Sequence, residues 1–457
     1  MSGLTSALSI ATQSLMAQED ALQVTSNNIA NANTPGYSRE VLDFQESPPV
    51  QQGSLWFGTG VSANQVESIR DEMLQLSIYD ETQQQGNAQA QSTALQQVEA
   101  LFSDPTQGIG SDLTAFFNSI NQLSTDPTSI PTRQSVLTAA NNLANDFHTT
   151  VAQLDGIQQG LDLQVTQSIS QINQLTSQIA ALNGQIAPLQ QLGQNAGTLE
   201  DQRDELIQQL SQLTNVQVIQ SDQGETIATG NGTPLVVGTQ SFALTTTPGN
   251  DGMQHIFAQG TDITSTLTGG QIGGVLAVRD QSIPNVLSDL DGLAGGLAAN
   301  FNAAQAKGFD LNGNQGQPFF APVSGAGAAA NFQVSTTDPS AIAASSDGSA
   351  GSDGNLTNLL AVQNQALASG ESPIDDYSNL VFTVGNLSAQ AQANTNAAQT
   401  SLQQLNNQLD SVSGVSIDEE TANLIRFQNA YQAAANVIST VNNLTQYLFN
   451  LTVSTTG

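Results

Sequence analysis

The sequence predicts a mainly α-helical, elongated multidomain rod with a β-rich insert, its N- and C-terminal helices pairing as an antiparallel coiled coil. Three observations predict it. Apolar residues recur by threes and fours at both ends of the chain. The same spacing returns over long interior stretches. Between these stretches lies a segment of β-branched residues broken by turn signals.

At the N-terminus, Leu4, Leu8, Ala11, Leu15, Leu22 and Ile29 mark one helix face, with polar Gln18 and Thr25 at the intervening steps. Pro35 and Gly36 end that helix. Residues 1–62 are assigned to the first part of a terminal coiled-coil domain. A helical block follows, and 63–213 is assigned to the first part of a helical rod domain. Within it Val165, Ile172, Leu175, Ile179, Leu182, Ile186 and Leu189 keep heptad spacing, and Pro188 and Gly193 are expected to break it. Leu199, Leu206, Leu210 and Leu213 resume the pattern.

From Thr214 the composition changes to short runs such as Val216-Gln-Val-Ile and Pro234-Leu-Val-Val, separated by Gly-Asn-Gly and Pro-Gly-Asn turns. Residues 214–271 are assigned to one small outer β domain. Residues 272–413 return to the rod, with a β and loop insert at 308–354, and 414–457 complete the terminal domain. There Leu424, Phe427, Tyr431, Ala434, Ile438, Val441 and Leu448 repeat by threes and fours, with Thr445 out of character. Two amphipathic helices packed on one globular core would also fit these terminal stripes. Small Ala11 and Ala434 among larger residues favour helix-on-helix packing.

The chain of 457 residues carries 7 Lys plus Arg against 39 Asp plus Glu, a formal net charge of −32. Nucleic acid and anionic membranes both reward positive charge, so neither is expected as a partner. Cysteine is absent, which removes disulfides and thiolate chemistry. The first residues have no basic start and no apolar run of signal-peptide type, and no stretch is long and apolar enough to span a membrane.

Chemistry is hard to place in this sequence. No catalytic, cofactor-binding or metal-ligating residue is assigned, and no cofactor or enzymatic activity is expected. The two histidines, His148 and His255, fall in a helical and a β-rich stretch. Asp310-Leu-Asn-Gly-Asn begins like a calcium loop, but Gln315 and Ala321 stand where such a loop needs Gly and Glu. Phosphate-binding, dinucleotide, nucleophile-elbow and zinc motifs are missing. Asp418, Glu419 and Glu420 sit where a helix should begin and are explained by its dipole, at about 0.3–1 kcal/mol each.

Four segments carry a resemblance. Ser26-Asn-Asn-Ile-Ala-Asn-Ala-Asn-Thr-Pro-Gly-Tyr-Ser-Arg39 resembles the signature of rod, hook and hook-associated proteins of the bacterial flagellum. Its Tyr37-Ser38-Arg39 ending is most similar to the hook-associated protein 1 family. Leu199-Glu-Asp-Gln-Arg-Asp-Glu-Leu206, Phe301-Asn with Gly308-Phe-Asp-Leu-Asn-Gly313 and Phe319-Phe320, and Ser416 to Thr440 resemble further segments of that family, in the same order.

The resemblance implies a secreted, extracellular structural subunit between hook and filament, delivered by type III export and installed as a ring. It implies contacts with further copies of itself, with hook subunits, with the next hook-associated protein, and with a chaperone holding the C-terminal helix before export. Leu4, Leu8, Leu15, Leu22, Ile29, Leu424, Phe427, Tyr431, Ile438, Val441 and Leu448 are the expected subunit-packing residues. Another axial protein such as the hook subunit is the alternative, followed by a secreted adhesin or an enzyme active in the middle region.

Overall fold

The computed structural model describes residues 2–52, 54–104, 106–220 and 224–454. It is mostly helical, with small antiparallel sheets. The chain divides into two compact units. The first comprises Met1–Thr82, Gln171–Leu244 and Gln399–Gly457, and the second Gln83–Ser170 and Thr245–Ala398.

In the first unit, helix α1 (Ser2–Asn31) is followed by strand β1 (Glu40–Glu46), a hairpin of β2 (Val50–Gln52) and β3 (Leu55–Phe57), and β4 (Val61–Ser68). β1 and β4 pair antiparallel with a bulge at Asp43/Phe44 and pack against α1. The unit also holds the start of α2 (Glu72–Ala100), the end of α4 (Ile130–Gln191), α5 (Gly197–Leu213), the end of α9 (Pro373–Ser413) and α10 (Ile417–Ser454). Pro188 does not break α4. It sits in the last turn, and the helix stops only at Gly193, whose φ of 66° suits a left-handed cap. There Gln194 N–H donates to Leu189 at 2.8 Å and Gly193 N–H to Gln190 at 3.0 Å.

Strands β5 (Val216–Ile219), β6 (Thr226–Thr229), β7 (Pro234–Val237) and β8 (Gln240–Ser241) form a four-stranded sheet. One amide on α4 anchors it. Asn183 Nδ2 donates to the carbonyls of Glu225 and Gly238, each at 2.9 Å, in a fully buried position. Strands β9 (Leu244–Pro248), β10 (Gln254–Ala258) and β11 (Thr261–Asp262) make a separate three-stranded sheet. The unit boundary at 244/245 falls after the first residue of β9, near the point where the chain passes from the first sheet to the second. Their hydrogen-bonded ladders are not continuous, because the chain leaves the first sheet after β8 and starts the second at β9.

The second unit contains α3 (Ile109–Leu123), α6 (Gly270–Ala277), a π-helical turn at Val278–Ser282, α7 (Ile283–Gln305) and the short α8 (Leu356–Ala361). Its core is aromatic. Phe116, Phe301, Phe319, Phe320, Phe332 and Phe147 are all fully buried and form a connected chain of rings, with centroids 4.6–6.1 Å apart. Asn302 fixes the extended segment beside it, accepting from the N–H of Phe319 and Phe320 and donating to the Phe320 carbonyl at 2.8 Å. The ends of the resemblance segment, Phe301 and Phe319-Phe320, are therefore core structure, while Asn312 to Gln315 between them are exposed. α6 can approach α2 closely only because Gly274 lacks a side chain: a Cβ there would lie 2.3 Å from the Asn87 carbonyl.

Candidate assembly surface

α1 and α10 pack alongside one another and run antiparallel, since Asn28 near the end of α1 meets Glu420 in the first turn of α10. The side chains buried in α1 are small or polar: Ala11, Ala17, Ala21, Thr25 and Asn28. On α10 Ala434 and Val441 are buried. Of the expected packing residues, Val441 is buried and Leu448 exposed. Leu4, Leu8, Leu15, Leu22, Ile29, Leu424, Phe427, Tyr431 and Ile438 are half-buried. The large apolar side chains thus flank the seam, while alanines occupy it and let the backbones come close.

Beneath this pair lies a polar cluster built from the resemblance segments. Asn28 is nearly inaccessible. Its Nδ2 donates to the Glu40 carbonyl (2.8 Å) and to Glu420 Oε2 (3.2 Å). Its Oδ1 accepts from the Glu40 N–H (3.0 Å) and the Tyr37 hydroxyl (2.9 Å). One side-chain amide therefore joins α1, the loop after it, β1 and α10. Ser38 N–H donates to Asp201 at 3.1 Å, which ties the same loop to α5. Arg39 reaches Glu419 at 2.9 Å, an exposed pair of small energetic weight.

Arg70 is the central cation. Its guanidinium meets Asp201 at 2.5 Å, Glu200 at 3.3 Å and Asp204, and donates to the Gly197 carbonyl at 2.9 Å. Arg203 pairs with Glu225 at 2.8 Å. Burial raises the carboxyls of Asp201 and Asp204 above their ordinary values, although Arg70 pulls both down. Burial likewise pushes Glu225 up to about 7, against the pull of Arg203. Leu199-Glu-Asp-Gln-Arg-Asp-Glu-Leu206 is thus an ion-pair ladder whose main counter-ion, Arg70, lies outside the motif. A cleft of about 960 Å³ opens beside it, lined by 31–38, Glu72, Glu205 and Asp410 among others.

Asn28, Arg70 and Glu420 are not among the packing residues expected from the sequence. Asn28 had a signal: it is polar at a step in register with Ala21 and Thr25, on the inward face. Arg70 had none, because its partners are more than a hundred residues away. Elsewhere, Asp310 caps its own turn, accepting from the N–H of Asn312 and Asn314 at 2.8 Å each. His255 stands between Asp262 (2.8 Å) and Asp251 (3.4 Å), and hydrogen bonds to both raise its pKa. Among the described residues no group of three or more His, Cys, Asp or Glu could hold a metal ion, and no helix is long and apolar enough to cross a membrane.

Residues 95–320 match the family model described as flagellar hook-associated protein FlgK helical domain. Residues 8–37 match that of flagella basal body rod protein, and 406–451 that of the flagellar basal body rod FlgEFG protein C-terminal. Flagellar hook-associated protein 1 of Escherichia coli K12 is 26% identical, over 98% of this chain and 100% of its own. This chain is similar to hook-associated protein 1 along almost its whole length. Its Bacillus subtilis 168 member is 28% identical over 97% of each chain. The structure of the flagellar hook junction protein FlgK from Burkholderia pseudomallei superposes with a TM-score of 0.67 at 20% identity, covering 74% of this chain and all of that one. The alignment with the E. coli member runs over 548 positions against 457 residues here, so that member carries insertions this chain lacks.

Proposed function

We propose that this protein is a structural subunit of the bacterial flagellum, joining hook to filament, and that its first unit forms the polymer contacts. The observation that carries the reading is the construction of that unit. A polar cluster of family-motif residues fixes the α1–α10 pair, while large apolar side chains on both helices stay partly uncovered. Such faces are costly in water and are stabilised when further copies cover them.

In this reading α1 and α10 act as a coiled-coil pair. The flanking set, Leu4, Leu8, Leu15, Leu22 and Ile29 with Leu424, Phe427, Tyr431, Ile438, Val441 and Leu448, packs against neighbours in a ring. Hook subunits lie on one side and the next hook-associated protein on the other. The chain travels through the flagellar type III apparatus, with a chaperone shielding the C-terminal helix beforehand. It works outside the cell by packing, with no reaction of its own.

Deleting the gene tests this. The expected result is cells whose hooks lack filaments in electron micrographs, with flagellin lost to the medium. Full filaments on the deleted strain would overturn the proposal.

A further inference from the structure

Between β1 and β4 the chain makes an excursion unlike its surroundings. From Ser47 to Val66 no residue is charged, in a protein of net charge −32. Within it β2 and β3 pair antiparallel, Val50 opposite Phe57 and Gln51 opposite Trp56. Leu55, Trp56 and Phe57 are consecutive, so apolar side chains project from both faces of the strand. All are exposed: Leu55 61%, Trp56 67% and Phe57 48%, with Val50 at 57%. A two-stranded hairpin is marginal in water by itself. One that shows both faces needs a partner.

The same unit has a second uncovered stripe. Val437, Leu444 and Leu448 stand at i, i+7 and i+11 on α10, and Tyr447 stands beside them, 74% exposed. The hairpin does not cover this stripe within its own chain, because both remain open. Charge then identifies the partner. Segments 1–66 and 421–457 hold five acidic and two basic residues, so they carry −3 of the −32 and the rest of the chain carries −29. Two copies meeting through most other surfaces would bring dense negative charge together. The hairpin and the stripe are where copies can meet without that repulsion.

We propose that the β2–β3 hairpin of one copy lies on the Val437–Leu444–Leu448 stripe of a second copy, with Trp56 as its anchor. This rests on the reading of the chain as a flagellar structural subunit, and names one contact within that assembly.

A benzophenone amino acid placed at position 56 of the full chain, irradiated on intact flagella, tests it. The expected product has twice the mass of the chain, with the cross-link mapped by mass spectrometry to 437–448. Cells carrying differently tagged copies show whether the two ends come from different molecules. Replacing Val437, Leu444 and Leu448 with Ser should abolish the cross-link, whereas Leu163→Ser in the second unit should leave it. If the chain is present in purified flagella but position 56 cross-links elsewhere, to another protein or not at all, the inference is wrong and the structural role stands. Absence of the unsubstituted chain from flagella would overturn both.

Discussion

The two units differ in how many of their large apolar side chains they leave exposed. In the second, six phenylalanines bury one another, and of the large apolar residues only Ile130, Leu163, Phe382 and Leu387 stay exposed among those described. In the first, Ile172, Ile179, Ile207, Leu210, Leu235 and Val236 are fully buried too, yet Met16, Leu55, Trp56, Met73, Ile425, Tyr447, Phe449 and thirteen more are open to solvent, beside a partly buried cluster of amides, carboxylates and guanidinia. Both units have apolar interiors. The first adds hydrogen bonds and ion pairs that fix α1 against α10, and it leaves many apolar side chains free for neighbours. A subunit that polymerises needs both: a body that is stable alone, and a shape defined before its contacts are made.

The strongest test of that contrast is Ile438→Asp. A charge on the flank of α10 should abolish incorporation into flagella, read by loss of filaments in electron micrographs. Hydrogen exchange on the purified protein should show α3 and α7 still protected. Normal filaments in this variant would break the comparison. Phe301→Ala probes the other side. Removing a fully buried ring should cost about 3–5 kcal/mol, with protection falling in 109–123 and 283–305 and the first unit unaffected.

Arg70→Ala should cost about 3 kcal/mol in the first unit, because Asp201, Asp204 and Glu200 would lose their shared cation in a partly buried site. Hydrogen exchange across 197–213 in rising denaturant would report it, and a loss below about 1 kcal/mol would mean the cluster is solvated. The smallest effect concerns pH. Glu225 has its carboxyl raised from 4.5 to about 7 by burial, so the folded state holds this proton more tightly than the unfolded chain does. Its contribution is therefore full below about pH 4.5 and is lost as pH rises through 7. The first unit should be about 1–2 kcal/mol more stable at pH 5.5 than at pH 8, and Glu225→Gln should flatten that dependence.

Much of the fold was legible in the sequence because it is local. The N-terminal helix stops at Asn31, just before Pro35 and Gly36, and α9 stops at Ser413 ahead of Gly414, where turn chemistry required. The acidic first turn of α10 was likewise readable from Asp418, Glu419 and Glu420. Pro188 misled because it forfeits only its own bond to the Gly184 carbonyl, and α4 runs three residues further to Gln191. The apolar stripe of α1 was visible, but its rotation was not. Ala21, Thr25 and Asn28 face inward and the leucines flank them, a choice that depends on the closeness of α10 and the shape of Asn28's partners.

The sequence by itself determined where the first helix ends and the last one begins, the mainly α-helical class, and the segregation of charge away from the termini. Each follows from spacing, caps or composition within a few residues. Only the tertiary structure decided that Asn28 joins Glu40 to Glu420, that Arg70 neutralises a motif more than a hundred residues away, and that the strands after Thr214 split into two sheets. These depend on which surfaces meet when the chain closes on itself. No local preference encodes that, because the free energy of such contacts belongs to the pair and not to either residue.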